Sequence, residues 1–340
     1  MATAALCAFL SACLAGAPPD VVVDPAPVPT LRATPQGEGA RSYWLYEPAG
    51  APAGRAPVVV FLHGWMALNP GFYGAWIEHL VRRGNVVVFP RYQDDWATPP
   101  GRFLPNAIAA LRDALDVLET GPGRVRPDRG RVAVIGHSAG GNLAVLLAAA
   151  VAGAPDAADL PPIRAVVAVF PGEVRPAPGP TPADLPPDTR LVILAGDRDV
   201  VVGDGRARSL FAGAAAVPGD RKRYILLRTS EGAGVTAEHF APTAVSDRID
   251  TGEGPLRETQ RARAKTDALD REVFWPVADR TLDAAFANRP LDALDALLAA
   301  CGLPLVAARD LAIVPRVPLP HGARMISWNP EDWSSRRLSR

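Results

Sequence analysis

One stretch of the sequence combines residue types and spacing suited to covalent catalysis. Val132-Ala133-Val134-Ile135 runs into Gly136-His137-Ser138-Ala139-Gly140-Gly141. A serine with glycine two residues away on each side can sit on a sharp strand-to-helix turn, because no side chain obstructs the reversal. Such a turn strains the serine backbone and exposes its Oγ. A helix that starts at Ala139 adds N–H groups favouring negative charge on a reacting oxygen. The chemistry is nucleophilic attack on an acyl carbonyl. A serine at its ordinary pKa needs a base for this, and the base needs an orienting carboxylate.

On this turn the order along the chain is serine, acid, histidine. Leu191-Val192-Ile193-Leu194-Ala195-Gly196 reads as a strand and turn, and Asp197-Arg198-Asp199 follows it. Asp199 is the expected acid, with Asp197 second and Asp204 third. There are five histidines. His63 and His137 precede the serine, and His63 is expected to organise a loop by hydrogen bonding. His79 lies on a helix, where a surface or satisfied core role is the default. His321 sits far along the tail with no strand before it. His239, in Glu238-His239-Phe240, follows a strand and is the expected base. An oxyanion needs two fixed donors. The N–H of Ala139 is one. The N–H of Trp65, in Phe61-Leu62-His63-Gly64-Trp65, is the other, with Met66 as the fallback.

Alternating elements must position these residues. Strands are expected at Ser42–Tyr46, Val58–Leu62, Asn85–Phe89, Val132–Ile135, Ala165–Phe170, Leu191–Ala195 and Tyr224–Leu227. Several are continuous apolar runs, which suit strands buried on both faces of a parallel sheet. Phe72, Tyr73, Trp76, Ile77 and Leu80 recur at helical spacing and end at Gly84. Ile108, Leu111, Leu115 and Leu118 mark a second helix, and a third starts at Ala139. A further helix is expected over Asp283–Ala300 with a break at Pro290, and the Pro-rich stretch 173–188 as a loop. The pattern predicts an α/β fold: a doubly wound, mostly parallel sheet with helices on both faces. Trp65, Met66, Phe72, Tyr73 and Trp96 are candidates to line an acyl pocket.

Composition narrows the class. The chain has 340 residues, with 36 Lys+Arg against 36 Asp+Glu. This balance gives no basic excess for binding nucleic acid. The 36 prolines argue against a bundle of long uninterrupted helices. Residues 1–17 are uncharged and rich in Ala and Leu, shorter than a bilayer span, and followed by Pro18-Pro19. They read as an export signal. Leu10-Ser11-Ala12-Cys13 is similar to a bacterial lipobox, so Cys13 is the lipidation candidate and membrane attachment at the cell envelope is expected. Secretion after a cut at Ala15-Gly16-Ala17 is the alternative. Cys7, Cys13 and Cys301 then leave no disulfide framework, and no Cys/His cluster suggests a metal site. Residues 18–40 read as a Pro-rich linker, 41–300 as the catalytic domain and 301–340 as an extension.

Together, His63-Gly64-Trp65, Gly136-His137-Ser138-Ala139-Gly140, Gly196-Asp197-Arg198-Asp199 and His239-Phe240 resemble the α/β-hydrolase superfamily over residues 40–245. Within it the chain is similar to dienelactone hydrolase-like and cutinase/chlorophyllase-like esterases. The resemblance implies a Ser138–His239–Asp199 triad, an acyl-enzyme, no cofactor and no metal. Serine in place of the cysteine of dienelactone hydrolases proper points to ordinary carboxylic esters, small or lipid-like. Peptidase, thioesterase or transacylase chemistry on the same triad is the first alternative. A non-catalytic envelope binding protein on the same scaffold is the second.

Overall fold

The structure is a computed structural model and describes residues 31–49, 54–174 and 179–317. Among these residues nine strands form one sheet: β1 (Leu31–Gln36), β2 (Tyr43–Pro48), β3 (Arg55–Leu62), β4 (Val86–Pro90), β5 (Arg126–His137), β6 (Ile163–Val169), β7 (Arg190–Gly196), β8 (Lys222–Leu227) and β9 (Leu305–Ala308). Their order in space is β1-β2-β4-β3-β5-β6-β7-β8-β9. Strands β3 to β8 run parallel, while β1, β2 and β9 add antiparallel pairings at the two edges. The apolar runs explain the centre. Val58, Val59, Val60, Phe61 and Leu62 of β3 are all fully buried, so both faces of that strand need cover.

Helices supply the cover. On one face lie α2 (Phe103–Thr120), α3 (Ala139–Gly153) and α4 (Gly205–Gly213). On the other lie α1 (Gly74–Arg82), α6 (Trp275–Phe286) and α7 (Asp292–Ala300). Helix α3 is buried along nearly its whole length, consistent with its apolar sequence on all sides. The short helix α5 (Arg257–Arg263) stands apart, with Gln260 its one buried residue. Strand order reverses between β3, which continues to β4 on one side, and β5 on the other. In an open α/β sheet, ligands bind outside the carboxyl ends of the strands at such a reversal. The loops after β3 and β5 carry His63-Gly64-Trp65 and Ser138.

Three expectations need correction. The sheet extends beyond 41–300: β1 lies within the stretch read as linker, and β9 within the extension. Both are edge strands. In β1, half-buried residues alternate with exposed ones around Pro35, so no apolar run announces it. The helix expected over Asp283–Ala300 does break around Pro290, into α6 and α7, but the first begins earlier, at Trp275, after a π-helical turn at Asp270–Phe274. Helices α4 and α5 have too little apolar periodicity to be seen in the sequence. The lipobox-like segment with Cys13, the 1–17 signal and His321 lie outside the described residues. Among those described, no helix is long and apolar enough to cross a membrane.

Candidate active site

Ser138 links β5 to α3 with φ 57° and ψ −123°, a conformation an L-residue adopts only when its surroundings enforce it. Two glycines make the turn feasible. A Cβ on Gly136 would overlap the carbonyl oxygen of Gly140, and one on Gly140 would overlap those of Leu62 and His63. Main chain therefore packs on main chain where β3, β5 and α3 meet. The Ser138 N–H is bound by the Val169 carbonyl at 3.0 Å, so the turn is also tied to β6.

The three residues expected to act together meet here. His239 Nε2 lies 2.9 Å from Ser138 Oγ, and His239 Nδ1 lies 2.8 Å from Asp199 Oδ2. All three are at least nine-tenths buried. Asp199 is held on its other oxygen, where Oδ1 accepts the N–H groups of Val201 and Val202, both at 3.0 Å. A carboxylate so fixed accepts Nδ1–H and leaves the Nε2 lone pair facing the serine hydroxyl. Its rivals are occupied elsewhere. Asp197 accepts the Thr229 N–H, and Asp204 pairs with Arg208.

The loop expected to hold the oxyanion, His63-Gly64-Trp65, is fixed from several sides. Tyr92 Oη donates to the His63 carbonyl at 2.5 Å, and the His63 ring stacks on Tyr92 with centroids 4.2 Å apart. Burial holds His63 down at about pKa 4. A neutral ring then donates to one of the two carbonyls beside it, those of Gly64 and Arg91. The Met66 N–H is engaged by Gln93 Oε1 at 3.0 Å, which removes Met66 as the fallback donor. A Cβ on Gly64 would stand 3.3 Å from Ser138 Cβ, so the loop approaches the serine as closely as backbone allows. Ala139 opens α3 directly after the serine. Trp65 borders the site cavity with Gly64.

A connection that sequence order concealed joins this loop to the base. The Gly64 N–H donates to Tyr73 Oη at 2.9 Å, and Tyr73 Oη lies 2.9 Å from His137 Nδ1. His137 Nε2 in turn lies 2.8 Å from the carbonyl oxygen of His239. The directions are self-consistent only if Tyr73 donates to Nδ1 and Nε2–H donates to the carbonyl. Burial keeps His137 well below the ordinary histidine pKa, and keeps the Tyr73 hydroxyl un-ionised by raising its pKa. His137 precedes the serine in the chain, so it was set aside as a base. Its role in space is to bridge three loops.

The cavity beside Ser138 has a volume of about 220 Å³. Trp65, Phe72 and Tyr73 line it as expected, together with Phe240. Met66 and Trp96 do not: they border a separate cavity of about 550 Å³ against β1 and β2. The rest of the wall comes from the part of the chain past His239. Residues 243–251 lie on the start of α1, where the Ala75 N–H binds the Ala244 carbonyl and the Ser246 N–H binds that of Gly71. Cβ atoms on Gly71 and Gly74 would sit 2.8 Å from Asp250 Cα and 2.6 Å from Ser246 Cβ, so glycine permits that approach. Asp250 then gathers Asn69, Arg257 and Arg261. These partners hold its carboxyl below the usual carboxylate range and fix α5 across the cavity. Among the described residues, no group of three or more His, Cys, Asp or Glu side chains could hold a metal ion.

Residues 59–203 match a protein-family model described as alpha/beta hydrolase fold. A protein of Acanthamoeba polyphaga mimivirus named as an alpha/beta hydrolase is 32% identical over 97 residues. That stretch covers 28% of this chain and 27% of the viral protein. The family-model match spans β3 to the loop holding Asp199, the part of the chain that includes the Ser138 turn and the His63-Gly64-Trp65 loop. With its mostly parallel nine-stranded sheet, this chain has the α/β-hydrolase fold.

Proposed function

We propose that this protein is a serine hydrolase that cleaves small carboxylic esters through an acyl-enzyme on Ser138. The observation that carries the reading is the continuous line from Ser138 Oγ through His239 to Asp199, with both contacts under 3 Å. His239 Nε2 takes the hydroxyl proton as Oγ bonds to the acyl carbon, and the carbonyl electron pair moves onto oxygen. The N–H groups of Ala139 and Trp65 receive that oxyanion, aided by the amino end of α3. The intermediate collapses, the C–O bond to the alcohol breaks, and His239 returns the proton to the leaving oxygen. Water then attacks the acyl carbon and gives its proton to His239. Collapse releases the acid and restores the Ser138 hydroxyl.

The cavity volume supports a small substrate, since it falls below the range of about 300–1,000 Å³ usual for drug-sized ligands. The motifs Gly136–Gly140 and Gly196–Asp199 support placing the chain near the dienelactone hydrolase-like and cutinase-like esterases. The lipobox-like Leu10–Cys13 supports attachment at the cell envelope, testable by fatty-acid labelling that disappears in Cys13→Ala. A panel of p-nitrophenyl esters from acetate to dodecanoate, beside matched anilides and thioesters, tests the activity. Turnover of the short esters well above the anilides is expected. Turnover of the anilides or thioesters alone would replace esterase by another acyl transfer.

A further inference from the structure

Helix α5 lays Leu256, Thr259, Gln260 and Arg263 along the cavity beside Ser138. Their spacing is i, i+3, i+4 and i+7, one face of a helix turned onto the site. Gln260 is the anomaly among them. It is 8% exposed, and its Oε1 is buried with no hydrogen-bond partner among the described residues. The surrounding wall is largely apolar: Phe72, Phe240 and Leu256, with the Arg263 guanidinium 4.9 Å above the Phe240 ring. An amide oxygen buried without a partner destabilises the fold, and a methionine of similar shape would avoid this. A buried acceptor without a partner, on a side chain that lines the cavity beside the nucleophile, suits a site whose substrate brings the donor.

We propose that Gln260 is a specificity-determining residue, and that the substrate is a small ester whose cavity-filling part carries a hydroxyl or amide N–H. That donor satisfies Oε1 only in the complex. The unsubstituted analogue binds with the amide oxygen still unpaired, so the site discriminates against it. The inference rests on the esterase reading above, but it concerns which ester is taken and not how it is cleaved.

The test compares p-nitrophenyl 3-hydroxybutyrate with p-nitrophenyl butyrate, and p-nitrophenyl N-acetylglycinate with p-nitrophenyl pentanoate, in wild type and Gln260→Met. A wild-type kcat/KM ratio favouring the donor-bearing ester by about tenfold or more in at least one pair is expected. Gln260→Met should bring that ratio close to one, by slowing the donor-bearing ester and speeding the plain one. Fluorophosphonate labelling of Ser138 in both proteins reports separately whether the nucleophile works. A wild type that is labelled but shows ratios near one in both pairs overturns the proposal, whatever the variant does. So does a labelled Gln260→Met that keeps the wild-type ratio. A wild type that is never labelled overturns the esterase reading instead.

Discussion

The cavity beside Ser138 has two walls built on different principles. The sheet-side wall, made by His63–Ala67, Gly136–Gly140 and the loops after β7 and β8 that carry Asp199 and His239, is fixed by backbone pressed against backbone and by buried hydrogen bonds. The opposite wall, α5, reaches the fold through ion pairs centred on one carboxylate, Asp250, with partly exposed arginines. The first wall holds every group that the proposed reaction uses. The second holds the amide that has no partner. The contrast separates what the site does to a carbonyl from which carbonyl it accepts. The proposed chemistry sits on the closely packed wall, and the proposed selection sits on α5, whose ion pairs with Asp250 do not involve the triad.

Substitutions on the sheet side should have the largest effects. Ser138→Ala is expected to lower kcat by about 10⁶-fold, as loss of a nucleophile acting within a triad does. Asp199→Asn should lower kcat by about 10⁴-fold with little change in KM, because the amide favours the wrong imidazole tautomer. Steady-state kinetics on a short p-nitrophenyl ester checks both. A loss below tenfold in either variant would mean that the sheet-side wall does not hold the reacting groups.

The bridge between loops comes next. Tyr73→Phe leaves the Gly64 N–H and His137 Nδ1 without their shared partner. The expected loss is about 10- to 100-fold in kcat, from about 1–3 kcal/mol of disturbed positioning. The Nδ1 of His239 should still pair with Asp199, so its imidazole NMR signature should persist. Asp250→Ala acts on the other wall. It should raise KM several-fold while kcat changes less, and lower stability by about 1–3 kcal/mol as the links to Asn69, Arg257 and Arg261 are lost. Equal damage to kcat and KM would erase the distinction between the walls.

The smallest effect on catalysis concerns Asp270, in the turn by which the chain leaves α5 and re-enters the core. Burial lifts its carboxyl to about pKa 7 from an ordinary value of 3.8, and its Oδ1 has no partner among the described residues. The folded state therefore holds this proton where the unfolded chain releases it. Its contribution is fully present below about pH 4 and is lost as pH rises through 7. Asp270→Asn should flatten the fall in unfolding free energy between about pH 4 and 7, by about 1 kcal/mol per pH unit near its steepest point. Parallel urea titrations of the two proteins measure that difference.

The same contrast explains what the sequence made legible. Buried strands such as Val58–Leu62 and the glycines around Ser138 are dictated by close packing, so residue type alone reveals them. Ser138, His239 and Asp199 could be chosen from chain order and strand ends, and the structure brings those three together. Strand β1 is hidden because it faces water at a sheet edge and carries no apolar run, and β9 because its apolar run, Leu305–Ala308, is only four residues long. Tyr73 and His137 looked like a core aromatic and a misplaced base. Their bridge joins residues 64 apart, beyond the reach of any local pattern. Helix α5 was invisible for a further reason: five of its seven residues are charged or polar arginine, glutamate and glutamine, so its inward face shows only in contacts.

The central claim is that Ser138 is a nucleophile activated by His239. Mass spectrometry after incubation with a fluorophosphonate tests it most directly, in wild type and in His239→Ala. A single phosphonyl adduct on the peptide containing Ser138, formed at least a hundredfold more slowly in His239→Ala, is the predicted result. An intact wild-type protein without adduct, or an adduct on another residue, would contradict it.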